Sequence, residues 1–151
     1  MRPLMNSIDQ RIFKLISKHH IFTLATAENN LPYCCTCFYA FVPEKNLFVF
    51  TSEYKTQHIC HFLKQPVVAG SIALETRIIG KIRGLQFTGK MIELKDTELK
   101  EARRAYLLKF PYTKPFLKDT PFWGLVPSFY KLTDNRLGFG TKLIWSNLDK
   151  L

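Results

Sequence analysis

Between Ile21 and Trp145 the chain is a succession of short β-rich runs, most of them separated by turns too short to hold a crossover helix. Parallel strands need such crossovers, so the pattern points to antiparallel pairing. Ile21 to Thr26 is followed by the turn formers Glu28, Asn29 and Asn30 and then by a long run from Leu31 to Val42, which is a hairpin signal. Pro43 to Asn46 marks the next turn and Leu47 to Thr51 the next apolar strand. Val67 to Leu74 and Ile78 to Leu94 are strand-like, with Gly80, Gly84 and Gly89 interrupting the second where a sheet bends or a ligand approaches the backbone. Phe129 to Thr133 and Lys142 to Trp145 are expected to close the sheet around a Leu137–Gly140 corner.

Three helices interrupt this plan. Ser7 and Gln10 have the spacing of a capping box, and Ile8, Ile12, Leu15 and Ile16 recur at helical spacing, which predicts a helix over residues 7–19. Ile59, Phe62 and Leu63 form one face of a short helix between Lys55 and Lys64, stopped by Pro66. Asp96 is placed to cap a helix running to Phe110, and the four prolines of Pro111 to Pro127 predict an ordered loop after it. Strands joined mainly by hairpins close most readily into an antiparallel barrel, which also removes exposed sheet edges.

At 151 residues with 46% apolar side chains, the chain can build one core and is short for two, so residues 1–151 read as a single domain. No apolar run approaches the roughly 20 residues a membrane helix needs, and the segment after Arg2 lacks the order of a signal peptide. Cys34, Cys35, Cys37 and Cys60 are bunched, not spread as a disulfide framework. These features predict a cytoplasmic protein with reduced thiols and no membrane partner. The formal charge of +10 calls for an anionic partner, and the scattered placement of the basic residues argues against a nucleic-acid arm.

The segment richest in chemistry is Phe50–Thr51–Ser52–Glu53–Tyr54–Lys55–Thr56–Gln57–His58, where an apolar strand gives way to a helix. A helix start offers amides without partners and the positive end of a dipole, which suits a phosphate. Thr51, Ser52 and Thr56 add hydroxyls, Lys55 a cation and His58 a further donor. The competing explanation is that Ser52 or Thr56 caps the helix while Lys55 is solvated.

Ala25–Thr26, Pro32 opening a long strand, and Leu47–Phe48–Val49–Phe50–Thr51 leading into the Lys/Thr/His helix start resemble the pyridoxamine 5′-phosphate oxidase-like FMN-binding split-barrel superfamily. Ile82–Arg83–Gly84–Leu85–Gln86–Phe87–Thr88–Gly89 and Leu137–Gly138–Phe139–Gly140–Thr141–Lys142–Leu143–Ile144–Trp145 resemble, more narrowly, a small bacterial branch of it. The likeness spans roughly residues 8–146. It implies a mostly β fold with flanking helices, an antiparallel six-stranded split β-barrel of Greek-key type. It also implies a homodimer with FMN at its interface, acting as a flavoprotein oxidoreductase on a small substrate. Phe50, Thr51, Lys55, Thr56 and His58 fall around the phosphate and ribityl chain, Cys35, Thr36, Cys37 and Phe38 beside the flavin, and Arg83 and Gly84 where a fifth-strand pair meets it.

The chain departs from the superfamily in places. Thr56–Gln57–His58 replaces a Ser–Arg–Lys phosphate grip, and Gly84 replaces a glutamine. Lys131 and Thr133 stand where true pyridoxamine phosphate oxidases carry an Arg-x-His substrate clamp, which disfavours vitamin B6 oxidation. No catalytic acid or base stands out. Two alternatives remain, a non-enzymatic FMN or haem carrier of the same fold and a basic nucleic-acid-binding barrel. A metal site drawn from Cys34, Cys35, Cys37, Cys60, His58 and His61 is set aside. Strand alternation splits Cys34 from Cys35 and Cys37, the Cys-x2-Cys spacing is missing, and buried small hydrophobes explain the cysteines. Helix capping explains His19 and His20, and sealing of a barrel or dimer seam explains Phe116, Phe122, Trp123 and Tyr130.

Overall fold

The computed structural model describes residues 7–147; the expectation drawn at Arg2 lies outside them. Eight antiparallel strands, β1 (Ile21–Glu28), β2 (Leu31–Phe38), β3 (Ala40–Val42), β4 (Leu47–Thr51), β5 (Val67–Ala73), β6 (Arg83–Glu93), β7 (Phe122–Asp134) and β8 (Lys142–Ser146), form one curled sheet. Its order is β2-β1-β5-β6-β7-β4-β3, with β8 also on β7. Helices α1 (Gln10–Lys18), α2 (Gln57–Lys64) and α3 (Asp96–Lys109) flank it, giving the expected split barrel.

The β1–β2 hairpin turns on Asn29 and Asn30, both in the left-handed region at φ 50° and 63°, the conformation a two-residue turn demands and asparagine tolerates. The strand expected over residues 31–42 divides at Tyr39. Before that residue the chain pairs with β1, and after it with β4. This exchange of partners curls the sheet, and with β8 pairing as a strand of its own it raises the count above six. Tyr39 is pinned there, its amide donating to His20 O at 3.0 Å and its hydroxyl to Ile16 O at 2.6 Å.

Inside the barrel Phe22 meets Phe48, Phe50 and Phe87 edge-on, and Phe48 stacks on Phe87 at 4.9 Å. Ile12, Leu15 and Ile16 of α1 and Ile59 and Phe62 of α2 join the same core. A second cluster lies between α3 and the outer side of β4, where Leu47, Val49, Ala102, Tyr106, Phe110 and Phe122 pack. Strand β4 is therefore buried on both faces, which explains its unbroken apolar run.

Four expectations need correction. Helix α1 begins at Gln10 and is capped by Asp9, not Ser7; the Asp9 carboxylate accepts from the Arg11 amide at 2.8 Å and also binds its guanidinium, a charge-assisted cap. Asp96 does not cap α3: Lys95 holds the cap position without a side-chain bond, and Asp96 has φ 53°. Strand β6 begins at Arg83, because Ile79–Lys81 form a helical turn. The predicted loop over 111–127 contains strand from Phe122 onward. Pro127 is accommodated because the β6–β7 register slips between Thr88 and Gly89, so its missing N–H falls at a bulge. Gly89 is required there, since a Cβ would stand 2.4 Å from Val126 O.

Candidate functional site

Strand β4 delivers the chain to the start of α2 under tight control. Thr51 Oγ1 donates to Pro121 O at 2.8 Å, and Trp123 Nε1 donates to Ser52 O at 2.8 Å. The Ser52 hydroxyl lies 2.8 Å from His58 Nε2 and 3.2 Å from Thr56 Oγ1, and Thr56 Oγ1 donates to Glu53 O at 2.9 Å. Thr56 holds the cap position but its side chain caps nothing. The amides of Gln57, His58 and Ile59 thus lack partners within the helix. Lys55 is 85% exposed and pairs with the Glu53 carboxylate at 3.0 Å, an ion pair that solvent weakens.

Of the predicted phosphate donors, then, Thr51 is committed to the backbone, Ser52 and Thr56 bond to each other and to His58, and Phe50 is a fully buried core residue. Lys55 and Gln57 are exposed, whereas His58 and Ile59, which carry the next two amides of the helix start, are buried.

Behind this junction lies a cluster that the sequence reading discounted. Alternation turns Cys35 and Cys37 to one side of β2, as expected, with their Sγ atoms 3.7 Å apart. Helix α2 lays His58 against them, and the two sulfurs and a ring nitrogen all lie within 4.8 Å of one another. The hydrogen bond with Cys37, and then the proximity of His58, draws the Cys35 thiol well below its ordinary value, and the same bond raises Cys37. His61, one turn along, is occupied elsewhere, with Nδ1 3.0 Å from Thr26 Oγ1 and Nε2 3.9 Å from Glu28. Cys34 and Cys60 are exposed.

The remaining predicted residues go elsewhere. Thr36 is on the outer face of the sheet opposite Thr23, and Phe38 packs edge-on against Phe110 at 5.6 Å. That outer face carries a shallow groove of about 400 Å³, lined by the small side chains of Thr23, Ala25, Ala69, Ser71 and Thr88 together with Gln86, Phe87 and Phe129. The paired alternation of small residues in β1 and β5 was its only signal in the sequence.

Arg83 and Gly84 open β6, whereas Glu93, which accepts a hydrogen bond from the Tyr54 hydroxyl beside Lys55, ends it. The strand is eleven residues long, roughly 33 Å of chain. One protomer thus separates Arg83 from the start of α2. Arg83 Nε is buried without a hydrogen-bond partner, 3.4 Å from Asp134 Oδ2. Arg136 binds the same carboxylate through two nitrogens at 2.9 and 2.8 Å. Its hydrogen bonds, more than the nearby charge of Arg83, hold Asp134 below the usual carboxylate range. Arg11, Lys14 and Lys18 line the same cavity of about 180 Å³. Gly84 lies close under β5, where a Cβ would meet Ile72 O at 3.3 Å.

Trp123, Phe122 and Tyr130 are fully buried and serve the core, while Phe116 is exposed. No helix among the described residues is long and apolar enough to cross a membrane.

No protein-family profile matches the chain. It is 38% identical over 136 residues to a UPF0306 protein of Photorhabdus laumondii, covering 90% of this chain and 94% of that one. It is 34% identical over 134 residues to the UPF0306 protein YhbP of Escherichia coli O157:H7, covering 89% and 90%. Among solved structures, a heme binding protein from Mycobacterium smegmatis superposes with TM-score 0.73 at 16% identity, over 88% of this chain and 56% of that longer one. A FAD-binding protein from Mesorhizobium loti gives 0.67 at 15% identity over 80% and 88%. A candidate pyridoxamine 5′-phosphate oxidase from Listeria innocua gives 0.65 at 12% identity over 82% and 95%. At these identities the likeness establishes the fold, the pyridoxamine 5′-phosphate oxidase-like split barrel.

Proposed function

The chain belongs to the UPF0306 family, and from that premise and its split-barrel fold we propose that it binds FMN between two copies of itself and serves as an oxidoreductase toward a small substrate. The observation that carries this reading is the division of the basic and polar groups between the two ends of β6. Lys55, Thr56 and the first amides of α2 stand at one end, and Arg83, its buried Nε 3.4 Å from the Asp134 carboxylate but without a hydrogen bond, at the other. A second copy supplies the missing half. The small side chains of the outer sheet face permit close approach of a flat ring or a second sheet. A neighbour of the same fold named for binding FAD supports a flavin as the ligand class.

In this reading Lys55 leaves the Glu53 carboxylate and, with the amides of Gln57 and His58, receives the phosphate. The bonds from Ser52 and Thr56 to His58 keep the helix start in register for that contact. The backbone of β2 from Cys35 to Phe38 gives the ring an edge to lie along. Bound flavin would supply the electron-transfer chemistry, and the chain's own groups bind, orient and exclude water.

The test is an FMN titration of the purified protein followed by flavin fluorescence and sedimentation. Saturable binding by a dimer, weakened about tenfold or more in Lys55→Ala, is expected from the loss of one charge-assisted contact. Saturable FMN binding that this substitution leaves unchanged would refute the phosphate assignment. Absence of binding by the wild-type protein would refute the cofactor.

A further inference from the structure

We propose that Cys35, Cys37 and His58 form a site for a thiophilic transition-metal ion of the zinc type, with its fourth coordination position open. This goes beyond the flavin reading and does not depend on it.

The site is assembled by the fold. Cys35 and Cys37 pair with Leu24 and Phe22 of β1 and so share one side of β2, while α2 brings His58 across from a distant part of the sequence. The two sulfurs stand 3.7 Å apart. Two thiolates bound tetrahedrally to one zinc ion at about 2.3 Å each are separated by about 3.8 Å, so the pair already has the spacing that shared coordination needs. The ring nitrogen completes a set whose donor atoms all lie within 4.8 Å of one another, close enough to converge on one ion after small side-chain movements.

Supporting contacts fix the histidine. The Ser52 and Thr56 hydroxyls lie 2.8 and 3.3 Å from Nε2, and Ser52 is itself anchored through its carbonyl by Trp123. A hydrogen-bond partner on one ring nitrogen orients the ring and leaves the other nitrogen to ligate. His58 is buried while Cys35 and Cys37 are only part-buried, which leaves an approach from solvent. Two sulfurs and one nitrogen select a borderline-soft ion over magnesium or calcium, which take oxygen. Three protein ligands leave one position for water or a small ligand, the arrangement of an open site and not of a closed structural one. Each thiol that binds loses its proton to solvent. Cys34 and Cys60, both exposed and outside the cluster, serve as internal controls.

The experiment uses the full chain, reduced, stripped with chelator and freed of any flavin. Titration with Co2+ is expected to give the near-ultraviolet thiolate-to-cobalt charge-transfer band, saturating at one ion per chain and displaced by Zn2+. Cys35→Ser, Cys37→Ser and His58→Asn should each weaken Zn2+ by about tenfold or more in competition with a chromophoric chelator. Cys34→Ser and Cys60→Ser should bind as the wild type does. A second measurement needs no variant: Zn2+ should protect Cys35 and Cys37, and not Cys34, from alkylation read by mass spectrometry. The proposal is overturned by absence of the charge-transfer band, by binding that survives all three substitutions or is lost in Cys34→Ser or Cys60→Ser, or by uniform alkylation with Zn2+ present. Metal content is measured without flavin, and flavin binding can be measured in chelator, so either idea can fail alone.

Discussion

The ammonium group of Lys109 lies 4.2 Å from the ring centroid of Tyr39 and donates to the carbonyl of His19, joining the end of α3 to the residue where the sheet changes partners. Burial pulls this lysine down from 10.5 to about 8.

The contribution of Lys109 to stability should therefore rise with pH through the window from about 8 to 10.5, because at this residue the unfolded chain holds a proton there that the folded chain has released. Below the window both states are charged and the burial cost is constant; above it both are neutral and the cost is gone. Lys109→Met should flatten this rise by about 1 kcal/mol, a figure discounted for partial exposure. Urea unfolding at pH 8 and pH 10.5 measures the difference, and parallel curves for the two proteins would count against it.

The assignment of the α1 cap separates two neighbouring residues. Asp9→Ala should cost about 1 kcal/mol, since it removes the acceptor for the Arg11 amide, whereas Ser7→Ala should change stability by less than about 0.5 kcal/mol. Equal effects in thermal unfolding would contradict the cap described here.

Two glycines provide a steric contrast. A Cβ at Gly89 would meet Val126 O at 2.4 Å, while one at Gly80 meets nothing within 4 Å. Gly89→Ala should destabilise by about 2 kcal/mol or more, and Gly80→Ala should be close to neutral. Chemical denaturation of both variants decides the matter.

A shared flavin site makes a prediction no single-chain site can imitate. Lys55→Ala and Arg83→Ala homodimers should each bind FMN weakly at both of their sites. Mixed dimers of the two variants should regain one full-affinity site, because the two substitutions then fall at the same berth and leave the other whole. Flavin fluorescence after subunit exchange reads this directly. No recovery in confirmed heterodimers would mean that the two residues do not serve one ligand.

What the sequence disclosed followed the range of the interactions involved. The Asn29–Asn30 turn and the passage from Phe50 to His58 are contiguous, so their chemistry was visible along the chain. Alternation also placed Cys35 and Cys37 together. Their meeting with His58 depends on how α2 docks against β1 and β2, which no local pattern encodes. Pro127 misled for the opposite reason. A proline inside a strand is disfavoured by local rules, and the bulge that permits it, which leaves Ser128 unopposed between the pairs Phe129–Thr88 and Pro127–Gly89, is set by pairing with the distant strand β6. Arg83 and Lys55 were grouped by resemblance alone, and the length of β6 separates them within one protomer.

The change of partner at Tyr39 makes one run of residues answer to two neighbours, β1 before it and β4 after it. A slip of one position there would turn over the side chains of two hairpins together, so each flank proofreads the other's alignment. The barrel is thereby indivisible at its seam: a cut between Phe38 and Leu47 would strand half of the closure on each fragment, and neither piece would possess an edge its own sequence could cover.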